Sequence, residues 1–112
     1  MNRTTGCVVA RQVVIARSWR ARLVGWIGRK PLPSDVVLGI PGCDWVHTFF
    51  VSGSLDLVFC DRDDRVLRVV AGLMPGRFSP RVPGAFWTWE MRAGQLASVV
   101  SVGDTLAVEV LQ

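Results

Sequence analysis

The sequence predicts a mainly β domain of the α+β kind, with about seven short strands and one amphipathic helix. From residue 35 onward, short β-branched and aromatic runs recur at regular spacing, separated by Gly, Pro, Ser and Asp. Only one stretch, residues 18–28, carries apolar residues at helical spacing. The 112 residues are half apolar and a fifth charged. That composition suits one hydrophobic core and argues against disorder, so residues 1–112 are expected to form a single domain.

Residues 8–15 read as the first strand, apolar and rich in Val, broken only by Ala10, Arg11 and Gln12. The helix follows. Ser18 suits its N-cap, Trp19, Leu23, Trp26 and Ile27 form its apolar stripe, and Arg20, Arg22 and Arg29 lie off that stripe. Gly28 suits the left-handed C-terminal position, and Pro31 and Pro33 prevent continuation. Residues 36–40 read as the second strand. Residues 45–51 read as the third, with Trp45, His47, Phe49 and Val51 on one face. A turn at 52–54 leads to the fourth strand, 55–60, and the polar turn 61–64 to the fifth, 65–71, so 45–71 is expected to be an antiparallel meander.

Residues 72–84 hold three Gly and three Pro and read as a long loop, a feature more often functional than decorative. Residues 85–91 resume the extended pattern as the sixth strand. Residues 94–100 read as a short helical turn, and Gly103 and Asp104 as a tight turn into a seventh strand, 105–111.

Thirteen basic residues against nine acidic ones give a formal net charge of +4. Twelve of the thirteen are Arg, while Tyr is absent and Asn occurs once, a bias consistent with GC-rich codons. The Arg excess is therefore not a sign of phosphate recognition. No apolar run reaches the ~18 to 20 residues of a membrane-spanning helix, and no export signal is visible, so a reducing, cytoplasmic setting is expected. Cys7, Cys43 and Cys60 are far apart and share one His, which argues against a metal centre. Asp61, Asp63 and Asp64 do not open a calcium loop, because Arg65, Val66 and Gly72 fall on its fifth, sixth and twelfth positions. No cofactor motif is present.

Several short motifs stand in series: Gly25, Trp26, Gly28 and Arg29; Val46, His47, Thr48 and Phe49; Leu55, Asp56, Phe59 and Asp61. They continue as Pro75 and Arg77; Trp89, Glu90, Ala93 and Gly94; and Gly103 and Asp104. As a set covering residues 16–110, this resembles the prokaryotic family called domain of unknown function 192. The resemblance implies a small barrel-like sheet with a helix packed on it, and no established reaction. Val51 stands where the family usually has Met, Ser54 and Arg92 where it usually has Pro, and Trp26 where it has Leu. An activity needing that Met or those Pro residues would not carry over.

His47 is the one side chain that titrates near neutral pH without a large perturbation, so any acid–base proposal starts there. Asp56 and Glu90 interrupt apolar strands and need exposure, a partner or hydrogen bonds; Arg77 in the long loop is a natural partner. With Thr48 beside His47, these residues form the candidate pocket of His47, Thr48, Asp56, Arg77 and Glu90. Two structural ion pairs are the simpler account of the same residues. The reading that follows is a non-catalytic binding or accessory module, its recognition surface formed by the His47 strand and the loop 72–84, its partner a small ligand or a protein. The alternative is an enzyme using His47 with Asp56 or Glu90 as general acid and base. A second alternative is a weak binder of nucleic acid or an anionic surface through Arg17, Arg20, Arg22, Arg29 and Lys30. Nucleic acid is disfavoured, because the aromatics do not interleave with the Arg residues as stacking platforms do.

Overall fold

The computed structural model describes residues 1–15, 35–46 and 53–108. Five strands form in these segments: β1 (Gln12–Ile15), β2 (Val36–Pro41), β3 (Leu55–Cys60), β4 (Val66–Leu73) and β5 (Trp87–Arg92). They make one mixed sheet in the order β1-β2-β5-β3-β4. β1 runs parallel to β2, and the other pairings are antiparallel.

The fold is mainly β, as expected, but the seven-strand barrel with an amphipathic helix is corrected. The described residues form an open five-stranded sheet and no helix. The physical reason is strand order. β5 enters between β2 and β3, which leaves β1 and β4 at opposite ends of the sheet. The segment 18–28 assigned to the helix lies outside the described residues, as does most of the expected strand 45–51. The seventh strand is reduced, in its described part, to two isolated bridges, Arg65 with Thr105 and Asn2 with Leu106. Residues 94–100 form turns. β1 begins at Gln12 instead of residue 8, because the chain before it turns back on itself through an Asn2–Cys7 bridge.

Within the expected meander, the β3–β4 hairpin forms. Its turn is closed by Asp61, whose Oδ1 accepts from the Asp63 and Arg65 amides at 2.9 and 3.0 Å. Asp64 takes the left-handed conformation there, with φ of 64°. The ladder is irregular between Leu55 and Leu57, where the register shifts opposite Gly72, itself at φ 63°. A glycine in the left-handed region is the usual means of opening a bulge.

Side-chain alternation divides the core into two layers. On one face Leu38, Ile40, Leu57 and Phe59 pack with Val46 and Val82. On the other, Val37, Val58, Cys60, Trp89 and Met91 pack with Leu96 and Val100 from the turns that follow β5. Gly39 is what admits the Trp89 ring: a Cβ there would lie 2.4 Å from an indole carbon. Trp89 in turn stacks on Trp87, with centroids 5.0 Å apart and planes 9° from parallel.

Candidate functional site

Cross-strand register decides which candidate residues can meet. Asp56 opposes Met91, whereas Glu90 opposes Leu57 on one side and Leu38 on the other. The two carboxylates, both buried, therefore sit on opposite faces of the sheet, Asp56 in the Met91 layer and Glu90 in the Leu57 layer. A single cleft cannot contain both.

Asp56 serves as a structural tie. Its Oδ1 accepts from Gly72 N–H at 2.9 Å, and its Oδ2 accepts from Gly94, Leu96 and Ala97 N–H at 2.9, 3.1 and 2.9 Å. Four amides from the β4 bulge and the turn after β5 thus converge on one carboxylate. This satisfies the burial requirement that the sequence poses, and it does so through backbone donors, not through Arg77.

Glu90, opposite Leu57, lies on the face of the sheet where Val82 packs. Residues 74–86 cross this face, anchored by Val82 in the Leu57 layer. Arg77 itself is exposed. His47 and Thr48 lie outside the described residues, as do Arg17, Arg20, Arg22, Arg29 and Lys30. Among the described residues, no three His, Cys, Asp or Glu side chains come together to hold a metal ion. No described helix is long and apolar enough to cross a membrane.

The loop 74–86 is irregular, as its Gly and Pro content predicts, yet it is firmly tied. Ser79 N–H donates to the Val46 carbonyl at 2.8 Å, and Val46 N–H donates to Ser79 Oγ at 2.9 Å. The Ser79 hydroxyl donates onward to the Pro80 carbonyl at 3.0 Å. Val82 N–H reaches the Asp44 carbonyl at 2.9 Å, and Arg81 lies 3.9 Å from the Asp44 carboxylate. The neighbouring strand end is fixed in the same way: Thr88 Oγ1 donates to the Cys43 carbonyl, and the Cys43 thiol donates to that of Trp45. On this frame the rings of Trp45 and Phe78 meet at 5.8 Å with a 43° tilt.

Eight large apolar side chains are exposed among the described residues, and five of them are Val. The other three are Trp45, Met74 and Phe78, all on this loop or the segment it clasps. Sequence reasoning marked the loop but not Phe78 or Ser79. The available signal was an aromatic residue in a Gly- and Pro-rich stretch with no periodicity to send it into the core.

Two other groups have clear chemistry. Burial, with Asp64 and Asp61 nearby, pushes the Cys60 thiol up to about 12, and the Trp89 side chain offsets only part of this. Cys60 is therefore a core thiol and not a nucleophile at neutral pH. Asp104 is held below the ordinary carboxylate value by the Asn2 side-chain amide at 2.8 Å and the Ser101 N–H at 2.9 Å, against a smaller opposing effect of burial. The Asn2 amide also donates to the Val99 carbonyl, so this pair ties residues 1–7 to the turns after β5.

Comparison with solved structures supports the fold. A protein of unknown function from Novosphingobium aromaticivorans DSM 12444 superposes with a TM-score of 0.72 at 19% identity, over 88% of this chain and 78% of that one. A Sinorhizobium meliloti 1021 protein, named provisionally as a transcription regulator, gives 0.69 at 20% identity, over 83% and 78%. At these identities the likeness concerns the fold alone. No curated protein matches the chain. The family model for DUF192, described as an uncharacterized ACR, matches residues 1–108, nearly the full length and every strand described above; the chain belongs to the DUF192 family.

Proposed function

We propose that this domain is a binding module whose recognition surface is built on the loop 74–86, between β4 and β5, and the chain segment that leads into His47. One observation carries the reading. Phe78 stands on the loop that Ser79 clasps to Val46, its ring meets that of Trp45 beside the clasp, and yet Phe78 remains 60% exposed. A large aromatic held outward on tied backbone loses little conformational entropy when a partner covers it, which is the usual character of a binding hot spot. In the alternative reading, an enzyme using His47 with Asp56 or Glu90, the four backbone amides that already donate to Asp56 weigh against that carboxylate as the acid–base group.

The test compares capture by the wild-type domain with capture by Phe78→Ala and by Val102→Ala, a control on an equally exposed apolar residue. Phe78→Ala should change folding stability by less than ~0.5 kcal/mol, because it removes an exposed side chain. It should lose a binding partner that Val102→Ala retains. Identical captured proteins from all three baits would reject the reading.

A further inference from the structure

We infer that the outer edge of β4 pairs antiparallel with the same edge of a second copy of this chain, joining two sheets into one across a twofold axis. This surface is separate from the Phe78 loop. Among the described residues β4 closes one end of the sheet, and it is 8 residues long, whereas β1 at the other end has 4. Every residue of β4 after Val66 keeps part of its surface in solvent, with Arg68, Ala71 and Gly72 exposed, while β3 beside it is buried throughout. The chain after β5 covers only the start of this edge: Val66 N–H donates to the Asp104 carbonyl and Gly103 N–H to the Val66 carbonyl, both at 2.8 Å, and Arg65 bridges Thr105. Beyond that point residues 67–73 contain neither Pro nor Lys, the residues that commonly block an open edge.

The direction of the backbone along this edge follows from β3. The Ser54 and Cys60 carbonyls accept from Ala93 and Phe86 N–H, so the even-numbered residues of 54–60 turn their peptide groups to β5, and Leu57 and Phe59 turn theirs to β4. Val69, opposite Val58, therefore points its N–H and C=O away from β3, and Ala71 follows by alternation. With Val70 on the twofold axis, Val69 of each copy exchanges both backbone bonds with Ala71 of the other. In that register Val70 meets Val70 of the second copy and Leu67 meets Leu73. Leu67, Val70 and Leu73 all lie in the Leu57 layer and are only partly buried, so the pairing extends one apolar row across the junction. Arg68, the one charge on the strand, falls opposite Gly72 of the second copy, and the two guanidinium groups do not oppose each other. A single pair of strands buries less than the ~1,200 Å² of a standard interface, so the dimer is weak and depends on concentration.

The experiment is a dilution series of the whole domain from ~1 mM to ~10 μM, the range of weak Kd values, followed by sedimentation velocity and by amide NMR. A monomer–dimer equilibrium is expected, with concentration-dependent amide shifts centred on residues 67–73. Ala71→Pro removes an outward N–H from each copy and should weaken the dimer ~10- to 30-fold, the effect of losing two ordinary hydrogen bonds. Ala71→Thr, which keeps the N–H, should dimerise like the wild type, and so should Phe78→Ala. A chain that stays monomeric at ~1 mM, or a dimer whose shifts lie away from 67–73, would overturn the inference. Undiminished dimerisation of a folded Ala71→Pro, or loss of the dimer in Phe78→Ala, would overturn it as well. Should Ala71→Pro prove unfolded by circular dichroism, the residues that shift in the wild type decide by themselves.

Discussion

Replacing Asp56 tests whether the carboxylate acts as a tie within the fold. In Asp56→Ala the four N–H donors of Gly72, Gly94, Leu96 and Ala97 lose their acceptor together. The Leu96 bond is buried, so that amide would bear a desolvation penalty of ~1 to 3 kcal/mol. The other three bonds are partly buried, and water can replace some of what is lost. Each then costs nearer ~1 kcal/mol, the net value of an ordinary hydrogen bond. Together these give ~5 kcal/mol, comparable with the entire stability of a small domain at its lower limit. Asp56→Asn is milder. If its amide oxygen takes the Oδ2 position, three of the four bonds survive, and an NH2 group faces the Gly72 N–H, for a loss of ~2 to 3 kcal/mol. Urea unfolding followed by Trp fluorescence measures both. With a slope of ~2 kcal/mol per M, the alanine midpoint should fall by ~2.5 M, or the variant should be unfolded from the start, with asparagine between it and the wild type. An alanine midpoint within ~0.3 M of the wild type would show that the four hydrogen bonds do not hold the bulge and the turn in place.

Three further outcomes follow from the core and the chain ends. Gly39→Ala forces a methyl group against the Trp89 ring and should cost ~1 to 3 kcal/mol, read from the thermal midpoint; a neutral result would mean that the indole moves aside freely. A thiol reagent at pH 8 should label exposed Cys7 rapidly and Cys60 only after denaturant is added, because the Cys60 thiol ionises near 12 and is buried; rapid labelling of Cys60 in the native domain would contradict its place in the core. The folded-state value of Asp104 is lowered, so its contribution to stability is present above the ordinary 3.8 and disappears as pH falls through the lowered value. Asp104→Asn should therefore destabilise at pH 7, and the gap between its urea midpoint and that of the wild type should narrow as pH is lowered below 3.8.

Much of the strand content was legible in local sequence. The runs at 36–40, 55–60, 65–71 and 85–91 all correspond to strands, because β-branched and aromatic residues bounded by Gly, Pro and Asp specify extended chain with little help from distant contacts. The turn at Asp61 was equally local, since its side chain closes onto amides two and four residues away. The irregular loop before β5 was visible in its Gly and Pro residues, which disfavour regular pairing.

Strand order was not legible in this way. The alternation in 85–91 shows two faces but not which neighbours they join, and only packing placed β5 between β2 and β3, where its Trp89 needs the space left by Gly39. That order also settled the candidate site. In sequence, Asp56 and Glu90 look alike, each a carboxylate among apolar residues, and a shift of one residue in register would exchange the face on which either lies. The tertiary structure fixed the register, putting Asp56 against backbone amides from the bulge and the turn after β5 and Glu90 on the side covered by the long loop. Local composition determines which residues become strand or turn. Which side chains meet depends on pairings between residues far apart in the chain, and here those pairings are selected by the burial of both faces of one sheet.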